Sequence, residues 1–244
     1  MRKKCKEKRP VPKNKQLRAA LTQEIDGREF KGKEQIFSWF AEQARTRNKD
    51  GTKSMVCVMD GAKSLWTMLA RHVSGVICIL DIYHALEYLW LAAYCFFPEG
   101  SDEAKAFVTE RLERILEGKV GYVIGGLKQM DTKGNLNKGK RTQLAKVITY
   151  FENNRRFMKY DQYLANGYPI GSGVVEGACR HLVKDRMEGT GMRWRVAGAQ
   201  SMLSLRAVFL NDEWDFFQQY RIELHCRKLY PYREIIESQW SKAA

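Results

Sequence analysis

Acidic residues are the scarce charged kind in this chain: 28 Asp and Glu stand against 42 Lys and Arg, a formal charge of +14 over 244 residues. That deficit favours a polyanionic partner, most simply nucleic acid. A merely soluble basic protein would show the same balance, so charge alone does not decide. Cysteine pairing is also lacking. Cys5, Cys57, Cys78, Cys95, Cys179 and Cys226 are scattered with no CxxC pair, and the four histidines add no zinc-ligand spacing. Cys57 and Cys78 lie in apolar runs and are expected as buried free thiols, in keeping with a reducing cytoplasm. Long apolar stretches are missing too. Trp90 to Phe97 is too short to span a bilayer, and no membrane partner is expected. The basic N-terminus has no apolar stretch behind it, so no secretory signal is expected. Beyond that basic arm there are no repeats or low-complexity segments.

What is present is an ordinary globular composition, 44% hydrophobic, long enough for one large domain or a domain with an insertion. Residues 1–18 carry nine Lys and Arg against Glu7, and Pro10 and Pro12 discourage a helix there. This reads as a flexible basic arm, either a solvated tail or a weak attractor of phosphate. Gln16 to Thr22 is expected as a short strand, followed by a turn at Ile25-Asp-Gly-Arg. Glu34 to Arg47 has helical periodicity, with Ile36, Phe37, Phe40 and Ala44 on one face.

Ser54 to Met59 and Val76 to Leu80 are continuous apolar runs of strand length, separated by a helix over Lys63 to His72. Strand, helix, strand implies a parallel pair with a crossover. Asp60 and Asp81 then stand at the carboxyl ends of the two strands, where open α/β sheets place their sites. From Asp81 to about Leu164 only helices are expected: Ile82–Phe97, Asp102–Glu117, Val120–Met130, Thr142–Asn153 and Asn154–Leu164. Asp131 to Lys140 is expected as a polar basic loop.

The most informative stretch runs from Gly167 to Asn211. Gly171 and Gly173 mark a turn, and Ser172 is placed to cap the helix that follows. Val175, Ala178, Leu182 and Val183 recur at helical spacing, while Glu176, Arg180, Lys184 and Met187 step by three and four along one face. A first-turn carboxylate with cations on its face suits a metal held beside a phosphate backbone. On spacing alone the better reading is a carboxylate that complements the helix dipole. Glu188-Gly-Thr-Gly breaks the helix, and further helices are expected over Val196–Leu210 and Asp212–His225.

Gly171-Ser-Gly-Val-Val-Glu-Gly-Ala-Cys-Arg-His-Leu-Val-Lys-Asp-Arg-Met, Gly191-Met-Arg-Trp and Gly198-Ala-Gln-Ser-Met-Leu-Ser-Leu-Arg-Ala resemble the C-terminal catalytic block of bacterial insertion-sequence transposases. The resemblance is to the Kra group, relatives of the Mutator-like DDE transposases. It continues through Cys57-Val-Met-Asp-Gly, Ile79-Leu-Asp-Ile-Tyr-His, Trp214 and Leu229-Tyr-Pro-Tyr-Arg, from about Arg9 to Arg233. It implies an α/β fold, a partial ribonuclease H-like domain with a large all-helical insertion between the last two catalytic acids. The implied organisation is a basic arm (1–18), a partial α/β core (19–81), a helical insertion (82–165), C-terminal catalytic helices (166–225) and a tail (226–244).

In such enzymes three carboxylates hold two divalent ions, Mg2+ or Mn2+, for in-line displacement at a phosphodiester. The resemblance assigns Asp60 and Glu176 as catalytic metal ligands. Asp81 and His84 match an accessory Asp/Cys-x-x-His motif, with a capping Asp and a core-edge His as the plainer alternative. Asp81 as ligand in place of Asp60 also stays open. No strand bearing a first acid is expected before Asp60, since Asp26 reads as a turn and Asp50 as a loop, so a truncated copy lacking that acid is expected.

Arg180, His181, Lys184, Arg186, Arg193 and Arg195 read either as a DNA track or as a solvated face. Trp194 reads as a base-stacking residue or a core-edge one. Trp66, Trp90, Trp214 and Trp240 are expected to pack. The implied partners are transposon-end and target DNA and further copies of the chain, in a bacterial, nucleoid-associated cytoplasmic setting. A non-catalytic DNA-binding remnant that dampens transposition is the main alternative. A ribonuclease H-like nuclease without a transposition role is a further one.

Overall fold

The computed structural model describes residues 12–232, so most of the basic arm, Cys5, Trp240 and the tail from residue 233 lie outside the described residues. The chain is a mixed α/β protein in which helices predominate and the sheets are small. The described residues divide into two compact units, 37–176 and 12–36 with 177–232.

The first unit contains the expected strand–helix–strand element. Strands β3 (Met55–Met59) and β4 (Val76–Leu80) are parallel, in register from Met55↔Val76 to Met59↔Leu80, and α2 (Lys63–His72) crosses between them. Among the described residues these two strands pair only with each other. Each is therefore an edge strand, and β3 is half-buried along its whole length instead of buried as its apolar run suggests. Cys57 and Cys78, partners in this register, are free but only half-buried for the same reason.

Five helices follow: α3 (Ile82–Phe96), α4 (Asp102–Leu116), α5 (Val120–Lys133), α6 (Lys138–Asn154) and α7 (Tyr160–Ala165). Their apolar stripes account for the packing. Ala85, Leu89, Ala92 and Ala93 of α3 share one core with Val120, Val123, Ile124 and Leu127 of α5 and Leu144, Val147, Ile148 and Phe151 of α6. The i, i+3, i+4, i+7 spacing turns all of them inward. Ser101 accepts from Ala104 N at 3.2 Å, and Asn137 from Lys140 N at 2.9 Å, capping α4 and α6. The Asn137 cap starts α6 early and α5 runs on to Lys133, so the expected basic loop shrinks to residues 134–137. The helix expected from Asn154 is a 3-10 turn (Arg155–Phe157) and then α7. Asn154 is the last residue of α6, and its buried side-chain amide accepts from Trp66 Nε1 (3.0 Å) and donates to the Tyr150 carbonyl (3.0 Å). Trp66 is buried against Phe157, as a packing residue should be, and Trp90 lies half-buried on the helical core.

In the second unit, β1 (Gln23–Ile25) and β2 (Arg28–Phe30) form a hairpin about Asp26 and Gly27, both at positive φ (51° and 73°). The expected strand over Gln16–Thr22 is absent. Its backbone is held instead by side-chain amides: Leu17 N donates to Asn211 Oδ1 (2.7 Å) and Leu21 N to Gln200 Oε1 (2.8 Å). Helix α10 (Val196–Leu210) has its expected bounds, and α11 (Trp214–Leu229) runs four residues past the expected end. The buried apolar side chains described in this unit are Leu182, Ala199 and Leu203. Trp214 is 41% exposed, at the edge of a small cluster with Phe209 and Phe217. In helix α1 (Gly32–Arg47) Phe37 is buried. No helix among the described residues is long and apolar enough to cross a membrane.

Candidate functional site at the strand ends

Asp60 and Asp81 immediately follow the last register pair, Met59↔Leu80, and Asp81 N continues the ladder to the Met59 carbonyl at 2.9 Å. Parallel strands that end together thus set the two acids side by side.

Their environments differ. Asp60 is exposed, and its Oδ1 accepts from Ala62 N at 2.9 Å in a turn. Gly61 has φ +88°, and a Cβ there would lie 2.7 Å from Leu80 Cδ1 and 2.9 Å from the Tyr150 hydroxyl, so both conformation and space call for glycine. Tyr150 donates to the Asp60 carbonyl at 2.8 Å and stacks on Tyr88, centroids 3.5 Å apart. Burial, reinforced by Tyr88, Asp60, Asp81 and Glu87, pushes the Tyr150 hydroxyl far above its ordinary pKa, which keeps it a neutral donor.

Asp81 is 1% exposed. Its Oδ1 accepts from Tyr83 N at 3.0 Å, capping α3, and from Ser172 N at 3.2 Å, while Ser172 Oγ donates to Oδ2. The Ser172 hydroxyl makes this bond and not the expected side-chain cap of α8 (Gly173–Cys179). The Ser172 carbonyl serves α8, accepting from Val175 N (2.6 Å) and Glu176 N (3.2 Å). The same loop is tied by Ile82 N to the Ile170 carbonyl at 2.9 Å. A Cβ on Gly171 would meet the Tyr83 ring at 2.9 Å.

Glu176 is exposed in the first turn of α8, four residues beyond that attachment. His84 turns away to Glu87, with Nδ1 and Oε2 3.0 Å apart, and the described contacts do not join it to Asp81. Among the described residues no three His, Cys, Asp or Glu side chains form a group able to hold a metal ion. Asp60 and Glu176 are exposed carboxylates, and both oxygens of Asp81 accept hydrogen bonds. The described residues do not make a complete metal site on their own.

The basic residues downstream are all exposed. Arg180 and Lys184 lie on a π-helical segment (Arg180–Lys184) that continues α8, and Arg186 on the short α9 (Asp185–Met187). Arg193 and Arg195 flank Trp194, which is 39% exposed, and Arg195 is the N-cap residue of α10. The π segment widens the turn, so the constant helical step from Glu176 to Lys184 and Met187 does not run through it. Of the expected apolar face, Leu182 is buried, Ala178 and Val183 are half-buried, and Val175 is 62% exposed. Arg206 donates to two carbonyls of this segment, those of His181 (3.0 Å from Nε) and Leu182 (3.2 Å).

Sequence reasoning missed the tyrosines that frame the strand ends. Tyr160 donates to the Leu80 carbonyl at 2.9 Å and Tyr163 to the Cys78 carbonyl at 3.2 Å, closing the outer edge of β4 from α7. Burial holds both hydroxyls above their ordinary pKa, as neutral donors. Their i, i+3 spacing was a signal for one shared face. No protein-family model, characterised protein or solved structure matches the chain.

Proposed function

We propose that this chain is a transposase of the Kra insertion-sequence kind, with a partial ribonuclease H-like core, acting on transposon-end and target DNA. Its reaction is metal-dependent strand cleavage and transfer, and it works as a homo-oligomer across paired ends. The observation that supports this reading best is the alignment at the strand ends. Asp60 and Asp81 stand side by side, and the loop leading to Glu176 is bonded to Asp81. Net charge and the exposed bases Arg180, Lys184, Arg186, Arg193 and Arg195 provide the attraction for a phosphate backbone, and Trp194 a stacking surface. The ion such a reaction needs, Mg2+ or Mn2+, prefers oxygen ligands such as Asp60 and Glu176.

A second reading, a non-catalytic DNA-binding protein that dampens transposition, is favoured by one observation: three carboxylates do not converge among the described residues. One experiment serves both. Binding to a transposon-end duplex is measured against salt, and nicking is measured with and without Mg2+. Glu176→Gln is expected to abolish strand cleavage and spare binding, and cleavage at the wild-type rate by that variant would sink the assignment. Replacing Arg193 and Arg195 with Gln is expected to lower the salt slope by about 1 per lost phosphate contact. Binding by the wild-type chain with no nicking would select the second reading.

A further inference from the structure

We infer that Asp81 and Ser172 form a buried latch that positions the first turn of α8, and with it Glu176, so that Asp81 is a positioning residue and not a metal ligand. The functional meaning of the latch rests on the reading of Glu176 given above, but its geometry does not. Asp81 is almost wholly removed from solvent, and a buried carboxylate is tolerated only when its oxygens are bonded. Three donors reach it: Tyr83 N, Ser172 N and Ser172 Oγ. A carboxylate offers about four lone-pair sites, so most are filled. The carboxylate also lies at the N-terminus of the 15-residue α3, where the helix dipole favours negative charge. An ion could reach it only by displacing the donors that make its burial tolerable.

The other end of the latch is equally defined. Ser172 turns its amide and hydroxyl toward Asp81 and its carbonyl toward Val175 N and Glu176 N. One residue thus joins the end of β4 to the first turn of α8. Ile82 N bonded to the Ile170 carbonyl, and Gly171 packed on Tyr83 with no room for a Cβ, hold the loop on either side of the contact. The exposed Asp60 takes no part in it.

Hydrogen exchange on the full chain reads the latch without DNA. Ser172→Ala and Asp81→Asn are each expected to speed exchange of the Ser172, Val175 and Glu176 amides about tenfold, as loss of a charge-assisted hydrogen bond predicts. The double variant should add little to either, because both remove one interaction. Ser172→Thr keeps the hydroxyl and should restore protection, and Asp60→Asn should leave it unchanged. Unchanged exchange in Ser172→Ala, the milder variant, would overturn the latch. Titration with Mn2+ alone, followed by its paramagnetic signal, tests the competing role. If Asp81→Asn weakens Mn2+ binding and Ser172→Ala does not, Asp81 is a ligand and the inference fails. Equal Mn2+ binding in the two variants, measured against binding by the wild-type chain, supports it. Failure of the transposase reading would show instead as cleavage unaffected by Glu176→Gln, and would leave the exchange result standing.

Discussion

Helices α6 and α11 have 17 and 16 residues, yet α6 buries Leu144, Val147, Ile148, Phe151 and Asn154 while α11 buries none of its residues. Apolar content is not the difference, since α11 carries Trp214, Phe216, Phe217, Tyr220, Ile222, Leu224 and Leu229. Their arrangement is. At 100° per residue the apolar positions of α6 fall into one stripe, whereas those of α11 are spread around the axis. Helix α6 lies in the unit where α3 to α7 share one core, and α11 in the unit whose described buried apolar side chains are three. Burial in this chain follows periodicity met by neighbours, and hydrophobicity alone does not achieve it.

The largest effect that bears on this contrast is truncation of a ring in each helix. Phe151→Ala is expected to cost about 3–5 kcal/mol in chemical denaturation, because the ring is fully buried against Tyr88 and Tyr150. Phe216→Ala, at a ring 76% exposed, is expected to stay within about 0.5 kcal/mol. Equal losses would break the comparison.

A middle-sized effect sharpens it within the first unit. Trp66→Phe keeps most of the apolar volume but leaves Asn154 Oδ1 buried without its indole donor, and a loss of about 1–3 kcal/mol is expected. A neutral result would mean that the polar link between α2 and α6 contributes nothing.

The smallest effect concerns thiols. Burial, with Cys78 beside it, raises the Cys57 thiol from 9.0 to about 11, while Cys179 in the second unit is exposed. At pH 8 Cys57 should therefore alkylate far more slowly than Cys179, as read by mass spectrometry of the labelled peptides. The sign for stability follows. The folded state holds this proton more tightly, so the thiol's contribution is complete below pH 9 and is lost as pH rises from 9 toward 11. Equal labelling rates would place Cys57 in solvent.

Much of the fold was legible. Lys63–His72, Val76–Leu80 and Val196–Leu210 have their expected bounds, because apolar periodicity and turn residues agree there. The parallel pairing of β3 and β4 followed from a helix between two short apolar runs. The run at Gln16–Thr22 misled because its backbone partners are the amides of Gln200 and Asn211, some 180 residues away. The π segment was hidden because a uniform helical step was imposed on Glu176 to Met187. At the candidate site, Asp60, Asp81 and Glu176 could be picked out as acids at element ends. Nothing local indicated that Asp81 would be buried and Asp60 exposed.

What the sequence by itself determined is the placement of chemistry along elements: two acids ending two strands, one acid opening a helix, and bases following it. Periodicity and turn residues act over a few positions, and those are local properties. Only the tertiary structure decided which acid was desolvated and what bonded to it. Nothing local to Ser172 indicates which acceptor its hydroxyl proton will meet, and chain closure brought it the carboxylate of Asp81, 91 residues away in sequence.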